Sequence, residues 1–472
     1  MIYWLVYCAG LVLALLTSAH AVLRKRDPRA AGLWVTLSFL LPIVGPFAYY
    51  VFGINRTQRR ARRRMSGYRF RTRGGGRRKA EEYPPQVGHL ERLARLGDRI
   101  LSNRLVDGNL IEPLHNGEQA YPAMLEAIAS AKRSVTCSSY IFDYDEIGRR
   151  FIDAFADAAA RGVQVRLLID GVGGWWYFSR VRRAFKKAGI KPANFAPIGL
   201  APSRLVHVNL RNHRKILVID GQTAFTGGMN ISACHLAERT DNPDRFVDMH
   251  FRARGPIVGQ IQEAFADDWY FAAQEWLEGN DFFPALQPAG EAVARGIPDG
   301  PDEHLRKISW IIIGACAAAR RSVRIMTPYF IPDIAVKTAI LGAALRGVDV
   351  TIVIPQKSDV PVVNWASIAY LWEFLERGVT IVQHAPPFHH TKLLVVDERW
   401  STIGSANVDP RSLRLNFEFN VEVYDTGLAR TLARHIDEQV AAGKRLTLAE
   451  VDGRRLHIRM RDALAKLFSP YL

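Results

Sequence analysis

The chain opens on two stretches without a charged side chain, residues 1–23 and 31–55, and then changes character. The first, "MIYWLVYCAGLVLALLTSAHAVL", exceeds the roughly 20 apolar residues that cross a hydrocarbon core. No basic segment precedes it and a second apolar run follows at once. The pattern therefore predicts a transmembrane helical hairpin anchoring residues 1–54, and not a cleaved signal peptide. Pro42 and Pro46 interrupt the second run, which either spans with a compensated backbone or re-enters. Past residue 100, short β-branched runs bounded by Gly or Pro alternate with alanine-rich stretches. That alternation predicts buried strands joined by crossover helices, an α/β body with a mostly parallel sheet.

The body is written twice. "AKRSVTCSSYIF" from Ala131 returns as "ARRSVRIMTPYF" from Ala319, and "ARGVQVRLLID" from Ala160 as "LRGVDVTIVIP" from Leu345. "NHRKILVIDGQTAFTGGMN" from Asn212 returns as "HHTKLLVVDERWSTIGSAN" from His389. In the first copy His213, Lys215, Asp220, Gly227 and Asn230 keep the spacing that His390, Lys392, Asp397, Gly404 and Asn407 keep in the second. The expected organisation is a hairpin over 1–54, a basic linker over 55–100, one half over 101–272, a join over 273–300 and a second half over 301–472. The two halves are expected to face each other as a pseudo-twofold pair.

Charge sharpens this picture. Of the net +17, residues 56–79 carry twelve Lys and Arg with no acid, and residues 80–472 retain only +2. A nearly neutral body argues against a nucleic-acid partner, whose binding face would be broadly basic. The basic block is expected on the cytoplasmic side, drawn to anionic lipid. Its glycine-rich end, "RTRGGGRRKAEEYPP", reads as flexible linker. Four cysteines without C-x-x-C spacing read as free thiols, not as a disulfide framework or a zinc site.

Side chains two apart on a strand share a face, so His213 projects beside Lys215 and His390 beside Lys392. A cleft between the halves would then collect two imidazoles, two ammonium groups and the amides of Asn230 and Asn407. Lys215, Lys392 and the two amides offer donors for the non-bridging oxygens of a phosphodiester. One neutral imidazole can attack phosphorus while the other protonates the leaving oxygen. Each imidazole needs an acid on its far nitrogen, and Asp248 and Glu418 occupy matching places after the two motifs. Asp220 and Asp397 stand at tight turns, where pinning the loop competes with a catalytic role. No H-E-x-x-H, P-loop or clustered-Asp pattern occurs, so chemistry with no metal or other cofactor is expected. The aromatic stretches "GVGGWWYFSR" from Gly171 and "PVVNWASIAYLWEF" from Pro361 are candidates to line the mouth, or equally to fill the core.

The duplicated H-x-K-x4-D pattern with G-G/S-x-N resembles the phospholipase D superfamily. Within it, "PYFIPD", "NHRKILVIDG", "TGGMNIS", "NVDPRSLRLNFEFN" and "PIVGPFAYYVFG" resemble the bacterial cardiolipin synthases. The resemblance implies a phosphatidyltransferase of the bacterial inner membrane, multi-pass, with a cytoplasmic catalytic body. The implied reaction joins two phosphatidylglycerols into cardiolipin and glycerol through a phosphohistidine. His213, Lys215, Asp220 and Asn230 with His390, Lys392, Asp397 and Asn407 would form the site. Hydrolysis, or another head-group donor such as phosphatidylethanolamine, uses the same phosphodiester chemistry and stays open. Ser405, standing where the first copy has Gly228, is expected to bind phosphate in the second half. That asymmetry favours His213 as nucleophile and His390 as general acid, then base.

Overall fold

The computed structural model describes residues 2–25, 28–53, 83–171, 178–195, 211–301 and 306–469. The chain divides into two compact units, Met1–Arg63 and Arg64–Leu472. In the first, helix Ile2–Arg24 contacts helix Pro28–Leu40. Tyr49 is buried against Trp34, ring centroids 5.3 Å apart, and its hydroxyl meets Nδ1 of His20 at 2.8 Å. Residues 7–24 are long and apolar enough to cross a membrane. The second arm is not one continuous helix. It breaks around Pro42, resumes at Val44–Ala48 and ends in a π-helical turn, Tyr49–Gly53. Its first 13 residues span about 20 Å, short of the ~30 Å hydrocarbon core.

The second unit is built on one 15-stranded sheet. The first half contributes β1 (Val106–His115), β2 (Ser134–Ser139), β3 (Gln164–Asp170), β4 (Ala193–Phe195), β5 (Ile216–Ile219), β6 (Thr223–Gly227) and β8 (Met249–Arg254). The second contributes β9 (Ala292–Asp299), β10 (Ser322–Met326), β11 (Asp349–Pro355), β12 (Thr380–His384), β14 (Leu393–Val396), β15 (Trp400–Gly404), β16 (Glu418–Tyr424) and β17 (Lys444–Arg445). Their order is β17-β12-β11-β10-β14-β15-β16-β9-β1-β8-β6-β5-β2-β3-β4. Reading outward from the central antiparallel pair β1/β9 gives the same succession on both sides as far as β4 and β12, beyond which only β17 follows, and this is the expected pseudo-twofold.

The sheet is mixed, where a mostly parallel one was expected. Only β2–β3–β4 and β10–β11–β12 run parallel, and the strands toward the centre are antiparallel. The cause is connection length. The motif strands are joined by tight turns, and a turn that short can link only antiparallel neighbours. Helices Glu146–Ala160 and Ile334–Leu345 supply the crossovers where strands are parallel, each capped at its N-terminus by an aspartate, Asp145 and Asp333. Each half has its own apolar core, around Phe151, Phe155 and Phe225 in one and Ile352, Phe374 and Trp400 in the other. Within the stretch read as linker, residues 91–100 form a helix that buries Leu93 and Ala94 in the second core. Residues 55–82 lie outside the described ones. β9, within the stretch read as join, pairs with β16 over seven residues.

Asp220 and Asp397 close the turns after the two motif strands in the left-handed conformation, φ 52° and 53°. The Asp220 carboxylate accepts backbone N–H groups of Lys132, Arg133 and Ser134. That of Asp397 accepts those of Arg320, Arg321 and Ser322, with His89 Nε2 at 2.6 Å. Each carboxylate therefore ties the motif hairpin to the start of the neighbouring strand. Asp397→Asn keeps the left-handed backbone but weakens charge-assisted bonds and strands a buried donor, so it should cost about 2–3 kcal/mol. Chemical denaturation is the check: an unchanged midpoint would contradict this structural role.

Candidate active site

The two motif strands begin at the seam between the halves. Arg214, on the opposite face from its neighbours His213 and Lys215, is buried and bridges the seam. It donates to Asp268 (2.9 Å) and the Ala264 carbonyl on one side, and to the carbonyls of Glu418 (3.0 Å) and Asp299 on the other. Beside it Asn212 bonds Asp268, and Arg211 bonds Asp170. A charged residue heading an aliphatic strand was the available signal for this brace.

Short backbone pairings then carry each motif into the other half. The His213 N–H donates to the Phe417 carbonyl at 2.9 Å, and the His390 N–H to the Val247 carbonyl at 2.7 Å. The strand β13 (Phe388–His389) pairs with β7 (Phe246–Val247) in parallel. Phe417 and Val247 immediately precede Glu418 and Asp248, so the orienting acids are exchanged. His213 Nδ1 lies 3.0 Å from Glu418 Oε2, and His390 Nδ1 lies 2.8 Å from Asp248 Oδ2. Each imidazole is held by an acid of the opposite half. A carboxylate on Nδ1 fixes that nitrogen as donor and leaves Nε2 unprotonated in the neutral ring.

Lys215 and Lys392 donate to the carbonyls of His213 (2.6 Å) and His390 (2.5 Å), two residues back. Burial is the main cause that lowers the Lys215 ammonium to about 7 and the Lys392 ammonium to about 8, and the positive Lys392 further lowers Lys215. Burial pushes His213 down to about 4 against the opposing pull of Glu418. His390 is lowered by burial and by Lys392, with Asp248 opposing. The histidines feel the lysines of both copies, so the two motifs make one site. Despite their burial, Asp248 and Glu418 are both held below the usual carboxylate range, mainly by the charge of the imidazole each faces.

Other expected site residues behave differently. Asp220 and Asp397 are not brought to the imidazoles: a four-residue strand separates each from its lysine, and their oxygens are spent on backbone donors. Ser405 is fully buried and donates to Glu418 Oε2 at 2.5 Å, so its hydroxyl props the acid and does not face a phosphate. Matching the two motifs sets Ser405 opposite Gly228 but gives its side chain no direction, and the Phe419 N–H and Glu418 on β16 hold the hydroxyl inward. Opposite it, Gly228 leaves room for Asp248: a Cβ there would stand 2.8 Å from both carboxylate oxygens. Asn230 accepts the Ile141 N–H on its side-chain oxygen at 3.1 Å. Asn407 bonds Asp409, the cap of helix Pro410–Arg414.

Five residues join the site that sequence reasoning did not single out. The Tyr140 ring lies 5.1 Å from the His213 ring and 5.3 Å from the Lys215 ammonium. His235, fully buried, accepts the Asn230 N–H on Nε2 and stands 3.8 Å from Asp248. His250 faces Gly227 across β6/β8 and is lowered to about 4 by burial. Phe246 and Phe388 flank His390, ring centroids 5.8 and 6.1 Å away. Of the aromatic stretches expected at the mouth, residues 172–177 lie outside the described ones, and Trp365 and Tyr370 pack against Ile331 and Val363.

Comparison with known proteins matches this arrangement. A family described as "Cardiolipin synthase, PLD-like domain" matches residues 124–269 and 312–440, one match per half. A phospholipase D-nuclease N-terminal family matches residues 12–53. The chain is 32% identical to a cardiolipin synthase of Geobacillus kaustophilus, over 99% of this chain and 93% of that protein. It is also 32% identical to the major cardiolipin synthase of Bacillus subtilis, over 95% of each. Among solved structures, a phosphatidylserine synthase of Haemophilus influenzae superposes with a TM-score of 0.64 at 15% identity. That match covers 81% of this chain and all of the other, a likeness of fold. With a duplicated domain match and full-length similarity at this level, the chain belongs to the cardiolipin synthase family of phospholipase D-like proteins.

Proposed function

We propose that the protein makes cardiolipin by transferring a phosphatidyl group from one phosphatidylglycerol to a second, releasing glycerol. The observation that carries this reading is the exchanged pair of imidazole–acid couples, with two buried lysines whose charge both imidazoles feel. His213 Nε2 attacks phosphorus, the bond to the glycerol oxygen breaks, and His390 gives that oxygen its proton. The hydroxyl of the second phosphatidylglycerol then attacks the phosphohistidine, His390 takes its proton back, and the phosphorus–nitrogen bond breaks. One phosphodiester replaces another, so no nucleotide is consumed.

The acids support this order of roles. Glu418 Oε2 is shared between His213 and Ser405, and Oε1 accepts from Asn416. A carboxylate whose charge is divided among three donors does less to hold a proton on its imidazole, which suits a nucleophile. Asp248 Oδ2 has His390 as its close donor and can stabilise an imidazolium, which suits the acid. Asp220 and Asp397 are assigned to stability, and Asp248, Glu418 and Ser405 to positioning. The amides of Asn230 and Asn407 and the lysines are assigned to the phosphate. The helix at residues 7–24 is assigned to membrane anchorage, the second arm to a shorter, broken insertion, and the body to the cytoplasmic side of a bacterial membrane.

Purified full-length protein given phosphatidylglycerol vesicles, without nucleotide or metal, should yield cardiolipin and glycerol in equal amounts by mass spectrometry. Phosphatidic acid in place of cardiolipin would mean hydrolysis. A strict requirement for added phosphatidylethanolamine would mean a different donor. His213→Asn and His390→Asn should each cost about 10^4-fold or more, because the pair acts as a unit. Only His390→Asn should still accumulate a phosphatidyl-enzyme from a donor with a good leaving group, and label on residue 390 in His213→Asn would reverse the roles.

The lysines set a pH dependence. With free-protein values near 7 and 8, they lose protons as pH rises, while a bound anion would hold those protons on. Anion binding therefore takes up protons above neutrality. The affinity for tungstate, whose charge is constant here, should weaken by about tenfold per pH unit for each lysine released above pH 8. Calorimetry showing affinity flat or rising from pH 7 to 9 would contradict it.

A further inference from the structure

The helix Leu456–Leu467 is amphipathic in an inverted way. Its buried side, Asp462, Ala465 and the following Ser469, rests on helix Pro361–Glu376, where Ala465 packs with Ile331, Val363 and Ala366. Asp462, the one acid on the helix, is buried and paired with Arg454 and Arg461. The opposite side carries Leu456, Met460, Leu464 and Leu467 at spacings that form a single stripe. They are 72, 57, 58 and 72% exposed, and Phe468 continues them at 60%. The stripe is rimmed by base: exposed Arg459 and Arg461, and Lys466, whose ammonium lies 4.2 Å over the Tyr370 ring.

A run of large apolar side chains this exposed is not what water-facing helices present. Two surfaces would cover it. A second copy meeting it stripe to stripe across a twofold would bring the two basic rims together, like against like. An anionic lipid surface meets the stripe with acyl chains and the rims with phosphates, which matches both features. A groove of about 440 Å³ beside the stripe is lined by Trp372, Leu456 and Met460 with three bases, Arg454, Arg459 and Lys466, and two acids, Asp452 and Asp462. The helix also leads to the site. Tyr329 packs in the cluster under it, its ring is 6.3 Å from Phe388, and Phe388 flanks His390.

We propose that the helix Leu456–Leu467 lies in the interface of an anionic bilayer, with Leu456, Met460, Leu464 and Leu467 immersed and Arg459 and Lys466 among the phosphates. This presents the catalytic body to its lipid independently of the helix at residues 7–24, and as a substrate-delivery surface it rests on the reading of the site as one acting on bilayer phospholipid. The test uses the full chain with Cys8→Ser and Cys234→Ser, an environment-sensitive fluorophore at Leu464→Cys, and a control fluorophore at Ala159→Cys. In phosphatidylglycerol vesicles the residue-464 probe should shift to the blue and be quenched by spin-labelled lipid, and the control should do neither. A probe as wet as the control overturns the proposal, and so does a blue shift without lipid quenching, which would mean a protein partner. These readouts need no turnover, so they stand even if the proposed reaction fails. Leu464→Asp with Leu467→Asp should cut turnover of vesicle phosphatidylglycerol about tenfold and spare a short-chain, water-soluble one. Equal loss on both substrates would also overturn it.

Discussion

Each motif imidazole is oriented by a carboxylate from the opposite half, and most of the body's architecture follows from keeping that exchange in register. The bond from His213 to Glu418 and the bond from His390 to Asp248 cross the same seam in opposite directions. A half alone would carry a histidine without its acid and an acid without its histidine. The continuous sheet through β1 and β9, the backbone bonds to Phe417 and Val247, and Arg214 with its partners on both sides all restrain that seam. Truncating Arg214 would leave Asp268 buried beside an unfilled site, a change expected to cost several kcal/mol.

The exchange also explains the electrostatics. Two lysines and two histidines are buried against two carboxylates, and all four basic groups sit below their ordinary proton affinities. Burial is the main cause, and the two carboxylates offset it only in part. In the proposed reaction a bound phosphodiester would raise the proton affinity of the lysines and of the imidazole assigned as acid, so that substrate binding would also prepare the acid.

The repeat made the pairing of motifs visible in the chain, because identical spacing at His213 and His390 has no simpler cause. The acids were visible by position, Asp248 just ahead of β8 and Glu418 at the first residue of β16. Their exchange was not, since it depends on how two surfaces meet and leaves no mark in the spacing within either half. Ser405 was misjudged for a similar reason: the residue that receives its hydroxyl, Glu418, is thirteen positions away on the next strand. Asp220 and Asp397 belong to the motif by spacing, yet geometry sets them at the far end of a strand. The mixed sheet followed from turn lengths already present in the sequence, which outweighed the parallel signature of the crossover helices. The exposed stripe from Leu456 to Leu467 has the periodicity of a core-facing helix, and only the fold reveals that it faces outward.

The exchange of acids is tested most directly by nitrogen-15 NMR of the histidine side chains in the full-length protein, comparing Glu418→Gln with Asp248→Asn. If the acids cross, Glu418→Gln shifts the ring nitrogens and lowers the proton affinity of His213 while His390 stays as it was, and Asp248→Asn does the reverse. Perturbation of His390 by Glu418→Gln and of His213 by Asp248→Asn would place each acid with its own half and contradict the structure of the site.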